Sequence, residues 1–302
     1  MKVRLMTILV LTVSLLFFVS PLLAQDLGPH FRKIKEGIFV YAAKEADSNC
    51  GIILTQEGVV LIDSGHNPPD SHAVMKAVKQ LTSQPIRYLI NTEPHGDHTT
   101  GHFVFSPPAV IVAHEEATKS MKKAYNPERN QKLIAQFPEM REAFQGYRMI
   151  TPHIEYRQKM TLNVGERTFE LLYLKNVHSE ADTAIWLPKE RVLFSAASVG
   201  VKRFGNLRPF VSIPDTLDSI KMMKALNPEV VVPGHGAPGT VKIFEDMERY
   251  YNLLLERVGQ MVREGKSIDQ IKKELRMPEY DDWAGKERFP NNVEAAYRAV
   301  KK

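Results

Sequence analysis

Glu93, His95, Asp97 and His98 fall within six residues, in the stretch Asn91-Thr92-Glu93-Pro94-His95-Gly96-Asp97-His98. Imidazole and carboxylate are the natural ligands of a borderline cation such as zinc, and a metal so held can polarise a carbonyl and acidify water. Offsets of i, i+2, i+4 and i+5 spread around a helix, so a helix would present only part of the set, whereas a loop can fold all four inward. The competing reading is a plain polar turn, because Pro94, Gly96 and Asp97 are turn formers. Ile86-Arg87-Tyr88-Leu89-Ile90 just upstream reads as a buried strand, so the cluster sits at a strand exit.

Two further histidines also follow apolar strands. His178 lies in Asn176 to Asp182, after a strand ending at Leu174, and His235 lies in Val232-Pro233-Gly234-His235-Gly236. A histidine in a turn just past a strand has little packing role. Taken singly, each reads equally as a ligand or as a surface residue.

The elements that must position these residues are read from hydrophobic periodicity. Ile38 to Tyr41, Gly51 to Thr55 and Gly58 to Asp63 are strands separated by turn residues, and Asp70 to Leu81 has helical spacing. Val110 to Ala113 is a further strand. Glu115 to Tyr147 is helical, polar and rich in Met and Lys, and reads as an insertion, either a lid or a packed spacer. Strands follow at Met160 to Val164, Thr168 to Leu174, Thr183 to Leu187, Arg191 to Ser195 and Val230 to Val232, with a helix over Thr216 to Leu226. Ile243 to Val262 is a long amphipathic helix, Ser267 to Leu275 a shorter one, and the aromatic tail from Pro278 is expected to pack on the body. Sheets with helices on their outer faces fit this order best.

Taken in order, these pieces resemble the metallo-β-lactamase fold superfamily. The resemblance rests on Asp63 ending an early strand, the Glu93 to His98 stretch, His178 about eighty residues on, the segment Ser195-Ala196-Ala197-Ser198, and the Gly234-His235-Gly236 turn. It runs from about Phe31 to Gly239. It implies an α/β fold, a four-layer αββα sandwich with a helical insertion over about 115–150 and C-terminal helices, and a metal site at one edge between the sheets. Carried over residue by residue, it implies one metal on Glu93, His95 and His178 and a second on Asp97, His98 and His235. A metal-bound water would lose a proton and attack a carbonyl, with Asp97 orienting it and Asp63 supporting the loop.

The chain departs from that pattern twice. Glu93 stands where the leading His is expected. A carboxylate adds negative charge and is harder than imidazole, which lowers the Lewis acidity of the metal and could favour iron or manganese over zinc. The position that often carries a bridging Asp falls on Ala197 or Ser198, so the expected site lacks a bridging carboxylate. Ser198 suits the subclass whose second site is Asp-His-His. One or two Zn2+ ions are expected, the single-metal alternative using Asp97, His98 and His235. Lys202 and Arg203 follow this segment and are candidates for holding a substrate carboxylate, with solvated surface the plainer reading. His66 and His72 read as loop surface.

The chain has 302 residues, 43% hydrophobic and 25% charged, as expected of a protein with a full core. The formal charge of +5 includes Lys2 and Arg4, and the rest is too well mixed with acids to suggest nucleic acid as a partner. Lys2 and Arg4 precede the uncharged run Leu5 to Phe18, and Ala24 ends a cleavage-like region, the order of a signal peptide over residues 1–24. An uncleaved anchor is the rival, but the run is short for a span. A secreted or periplasmic protein with no stable membrane association after cleavage is expected. Its domain would cover 25–240, with a C-terminal helical extension over 241–302. Cys50 is the single cysteine, so no intrachain disulfide can form, and it reads as a core residue.

The function these readings imply is an exported metal-dependent hydrolase acting on an ester, lactone, amide or β-lactam of a small molecule. The insertion and the 200–210 loop would set the substrate. The alternatives are an iron-dependent oxidoreductase of the same fold, such as a persulfide dioxygenase, and a non-catalytic metal-binding protein.

Overall fold

The computed structural model describes residues 26–44 and 46–301; the expected signal peptide lies outside them. Strands β1 (Phe31–Lys35), β2 (Ile38–Tyr41), β3 (Cys50–Thr55) and β4 (Gly58–Ile62) pair antiparallel in sequence order. Helix α1 (Pro68–Leu81) then crosses to β5 (Ile86–Ile90), which lies parallel to β4. Single-turn helices α2 (Gly96–Thr99) and α3 (His102–Phe105) lead to β6 (Val110–His114), parallel to β5. The insertion follows as α4 (Glu115–Ala124) and α5 (Pro127–Gln136), and β7 (Ile154–Tyr156) closes the seven-stranded sheet.

The second sheet has five strands. β8 (Lys159–Val164), β9 (Arg167–Tyr173), β10 (Thr183–Leu187) and β11 (Val192–Phe194) are antiparallel neighbours. Helix α6 (Ile213–Ala225) returns the chain to β12 (Val230–Val232), parallel to β11. The chain ends in α7 (Lys242–Arg263), α8 (Ile268–Glu274) and α9 (Phe289–Val300).

Alternation along the strands makes the four layers. Ile53, Val60 and Ile62 point inward and meet Phe169, Leu171, Ile185 and Phe194 of the other sheet. Their neighbours Ile52 and Leu61 point outward, onto Val74 and Val78 of α1 and Phe105 of α3. On the far side Trp186, Leu193 and Val231 pack against α6 and α7 through Ile220, Met223, Phe244 and Tyr250. Buried on both faces, β4 is apolar along its whole length, as a covered strand must be. This is the αββα sandwich that the family resemblance implies.

Three elements have no clear signal in the sequence. β1 and β7 are short edge strands with mixed polarity, and the three residues of β7 are mostly exposed. The tail forms α9, with Pro290 in its first turn, where the missing N–H costs nothing. The tail does pack on the body: Trp283 and Tyr280 stack around Tyr250 of α7, and Phe204 joins them. The Phe204 N–H donates to Ala284 O at 3.0 Å and the Ala284 N–H to Lys202 O at 2.9 Å, so the tail clamps the 200–210 loop. Cys50 is fully buried beneath Asp63, its Sγ 3.2 Å from the Asp63 carbonyl.

Candidate metal centre

The carboxyl ends of β4, β5, β9, β11 and β12 carry the residues that converge. Asp63 leaves β4 with a left-handed φ of 58°, a conformation Asp tolerates better than most residues. The twist turns its carboxylate across to the strand beside it. There Oδ1 accepts from Thr92 N at 2.7 Å and Asn91 Nδ2 at 3.0 Å, while Oδ2 accepts from Thr92 Oγ1 at 2.6 Å and His98 Nδ1 at 2.8 Å. Asp63 thus ties the exit of β5 to α2. With its Nδ1–H donating to Asp63, His98 presents Nε2 to the centre. Gly101 is required just beyond: a Cβ there would lie 1.9 Å from Ser71 Oγ and 2.8 Å from the Ser64 carbonyl.

The loop expected to fold four ligands inward is half helical. Glu93 lies outside any helix or strand, His95 is extended, and α2 then turns Asp97 and His98 toward the same space. His178 arrives from the turn after β9. Its backbone N–H donates to Asp182 Oδ2 at 2.5 Å, and Ser179 N donates to the same oxygen at 2.8 Å. His235 arrives after β12. Asn49 Nδ2 holds that turn by donating to the carbonyls of Pro233 and Gly236, each at 2.8 Å. His235 Nδ1 donates to Ala46 O at 3.0 Å, which leaves Nε2 for the centre.

Glu93 lies at the middle. Its carboxylate contacts His95 Nδ1 through Oε2, while Oε1 stands 3.1 Å from His98 Nε2 and 3.5 Å from His178 Nε2. His98 Nε2 and His235 Nε2 are 3.3 Å apart. Two groups therefore have ligand atoms within 4.8 Å of one another, Glu93 with His95 and His178, and Glu93 with His98 and His235. Glu93 belongs to both, whereas the sequence reading gave the second group Asp97 and no share of Glu93. Asp97 stands at its rim, with Oδ2 3.3 Å from His235 Nε2 and 3.8 Å from His98 Nε2.

The residues present fit a metal. Glu93 Oε1 is buried without a hydrogen-bond partner, with only the ring nitrogens His98 Nε2 at 3.1 Å and His178 Nε2 at 3.5 Å near it. A carboxylate so enclosed demands positive charge. Burial alone would raise the Glu93 carboxyl, yet the imidazoles of His178, His98 and His95 hold it well below the usual range. Burial opposes charge on His98, but Glu93, Asp63 and Asp97 push it well above the ordinary imidazole value. Burial keeps His178 near 4 despite Glu93, and burial together with Glu93 raises Asp182 to about 7.

Ser198, expected to stand near the second metal, donates its hydroxyl to the Ser195 carbonyl at 2.5 Å. Gly234 packs on the same turn, where a Cβ would meet Ala197 N at 2.7 Å. Lys202 points away, 67% exposed and paired with Asp282 at 2.9 Å.

A cavity of about 1100 Å³ opens over the centre, lined by His95, Asp97, His178 and His235. Met121, Tyr125, Leu133 and Phe137 of the insertion form part of its wall. The sequence reading missed Arg208 and Arg288, which line it too, and placed His66 on the loop surface, although His66 Nδ1 is 4.0 Å from Asp97 Oδ2. Arg208 lies in the loop singled out for substrate choice; nothing in the sequence marks Arg288.

Comparison with known proteins agrees with this architecture. The metallo-beta-lactamase superfamily pattern matches residues 43–235. The alpha subunit of 2,4-dinitroanisole O-demethylase from Nocardioides sp. is 24% identical over 204 residues, 67% of this chain and 54% of the relative. Among solved structures, a metallo-beta-lactamase from Pontibacter korlensis superposes with a TM-score of 0.58 at 20% identity, covering 72% of this chain and 96% of that one. The inverting sec-alkylsulfatase Pisa1 from Pseudomonas sp. gives 0.69 at 15% identity, covering 89% of this chain and 49% of the sulfatase. The chain thus spans about half the length of the demethylase subunit and of the sulfatase.

Proposed function

The chain belongs to the metallo-beta-lactamase superfamily, whose fold binds metal ions and whose members are mostly hydrolytic enzymes, and from that premise we propose that it is an exported metal-dependent hydrolase. Its substrate is a small molecule with an ester, lactone, amide or β-lactam bond. The observation that carries this reading is the pair of ligand groups meeting at Glu93 on the floor of an open cavity.

His95 and His178 would hold one ion and His98 and His235 the other, with Glu93 available to both groups. Glu93 would then be the carboxylate shared by both groups, a role that Ala197 and Ser198 cannot fill. Zinc suits the imidazoles, while the shared carboxylate also suits iron or manganese. When bound, the metal supplies Lewis acidity, lowering the pKa of water and polarising the electrophile. Asp97 is 31% exposed at the rim, where its carboxylate can orient a water and accept its proton. Asp63 holds His98 in the tautomer that offers Nε2, and Asp182 shapes the turn that delivers His178. Export is inferred from the charged, apolar and cleavage-region order of residues 1–24.

The test is a substrate panel run on metal-analysed protein: esters, lactones and β-lactams, with an aryl methyl ether and a secondary alkyl sulfate added because of the relatives above. We expect about one or two ions per chain and turnover that His95→Ala reduces at least about 100-fold. Equal rates for wild type and His95→Ala would refute a hydrolase at this site. The hardness of Glu93 favours one second reading, an iron-dependent oxidoreductase, which a Mössbauer signal from protein grown with both metals would support.

A further inference from the structure

Of the four arginines that line the cavity, Arg129 belongs to α5 of the insertion and the other three come together from two distant parts of the chain. Arg203 and Arg208 belong to the loop between β11 and α6, and Arg288 to the turn entering α9. Arg203 and Arg288 lie side by side on Gly285, where a Cβ would be 3.5 Å from Arg203 Cγ and 3.5 Å from Arg288 Cδ. Arg208 Nη1 donates to the His178 carbonyl at 2.7 Å, which fixes its charge beside the metal centre.

All three are half-buried. Among the described side chains no carboxylate lies within 4.0 Å of Arg203 or Arg208, and Arg288 has only the exposed Glu287, 3.5 Å away. The acids of the cavity are engaged elsewhere: Asp47 lies 3.7 Å from His66, Asp70 accepts from Tyr41 at 2.9 Å, and Asp97 is 3.3 Å from His235. Half-buried like charges held together without counter-charge are costly unless an anion completes them. Burial and the neighbouring Arg203 and Arg208 lower Arg288 from its ordinary value, in keeping with that crowding. The insertion offers the opposite chemistry. Tyr125 and Phe137 line the cavity while 42% and 38% exposed, large hydrophobic surfaces without a core behind them.

We propose that Arg203, Arg208 and Arg288 form an anion subsite, and that the substrate carries a carboxylate, sulfate or phosphate on an apolar body lying against the insertion. Arg203 and Arg208 lie within the matched residues 43–235 and Arg288 outside them, so the complete subsite draws on a part of the chain beyond the family match. The inference deepens the hydrolase reading and relies on it only for where the scissile bond sits.

Calorimetry on the metal-loaded full chain tests it, with octanoate, octyl sulfate and octyl phosphate as probes below their micelle concentrations. Octanol and octyltrimethylammonium are the controls. We expect at least one anion to bind about 10-fold or more tightly than either control, and to weaken as salt rises. That affinity should fall about 10-fold in Arg203→Ala and in Arg288→Ala, and recover partly in Arg288→Lys. The anion preferred identifies the headgroup. Arg288 also donates to the Phe204 carbonyl at 3.4 Å, so thermal unfolding is followed for every variant. If Arg288→Ala unfolds, Arg203→Ala carries the test. Equal binding of anions and octanol, or anion binding untouched in the folded variants, overturns the subsite. Anion binding without turnover of any substrate would leave the subsite standing and sink the hydrolase reading. Turnover without anion binding would do the reverse.

Discussion

His98 Nδ1 donates to Asp63 Oδ2 at 2.8 Å, and neither side chain is more than 2% exposed. The bond joins the end of β4 to α2 and decides which nitrogen of His98 faces the centre. A ligand ring held this way has no rotational freedom left to lose when a metal binds. Asp63 also accepts from Thr92, so the same carboxylate anchors the stretch that carries Glu93.

Asp63→Asn should therefore weaken metal binding about 10- to 100-fold, the usual cost of losing a partner behind a ligand. Asp63→Ala should in addition cost about 1–3 kcal/mol of stability, because buried Thr92 N–H and Asn91 amide donors lose their acceptor. Metal competition titration reads the first effect and denaturant unfolding of the metal-free protein the second. Unchanged affinity in Asp63→Asn would show that His98 does not ligate.

Substitution of Glu93 separates a shared ligand from a terminal one. If Glu93 serves both groups, the wild type should hold about two ions per chain, and Glu93→Gln should weaken both sites. Glu93→His should preserve the site on His95 and His178 and depopulate the one on His98 and His235. If Glu93 serves only the first group, Glu93→Gln will leave the second at wild-type affinity. Mass-spectrometric metal counting after dialysis, with calorimetric titration of the metal-free form, distinguishes these outcomes.

His102 predicts a pH dependence independent of the ligands. It is 1% exposed, donates from Nδ1 to the Ile150 carbonyl at 2.9 Å and leaves Nε2 buried without a partner. Burial lowers its pKa to about 4. Between pH 6.5 and about 4 the unfolded chain takes up a proton that the folded chain refuses, so stability falls as pH falls through that window and is whole above it. The contribution is at most about 1.4 kcal/mol per pH unit. His102→Asn should flatten the stability profile there by that slope relative to wild type. Parallel profiles for the two proteins would show that His102 titrates normally.

Most of the scaffold was legible because its signals are local. Ile52 to Leu54 and Val59 to Ile62 are unbroken apolar runs of strand length, and α1 and α7 carry the helical period over three turns or more. The strand ends bearing Asp63, Glu93, His178 and His235 could be located for the same reason. β7 was invisible because its three residues mix apolar and charged side chains and are mostly exposed, unlike the equally short but apolar β11 and β12, and α9 because an aromatic, Pro-containing tail resembles a loop.

What the sequence determines by itself is the set of chemical groups and the strand exits on which they stand, since burial pattern and turn chemistry are written over a few neighbouring residues. What only the tertiary structure decides is which groups share a space. Glu93 enters both ligand groups because the exits of β9 and β12 close over the exit of β5, and Arg288 reaches the cavity because the tail pairs with Lys202 and Phe204, some eighty residues away. Those meetings depend on how two sheets stack and where a terminal helix docks, and no local pattern encodes a contact made across that distance.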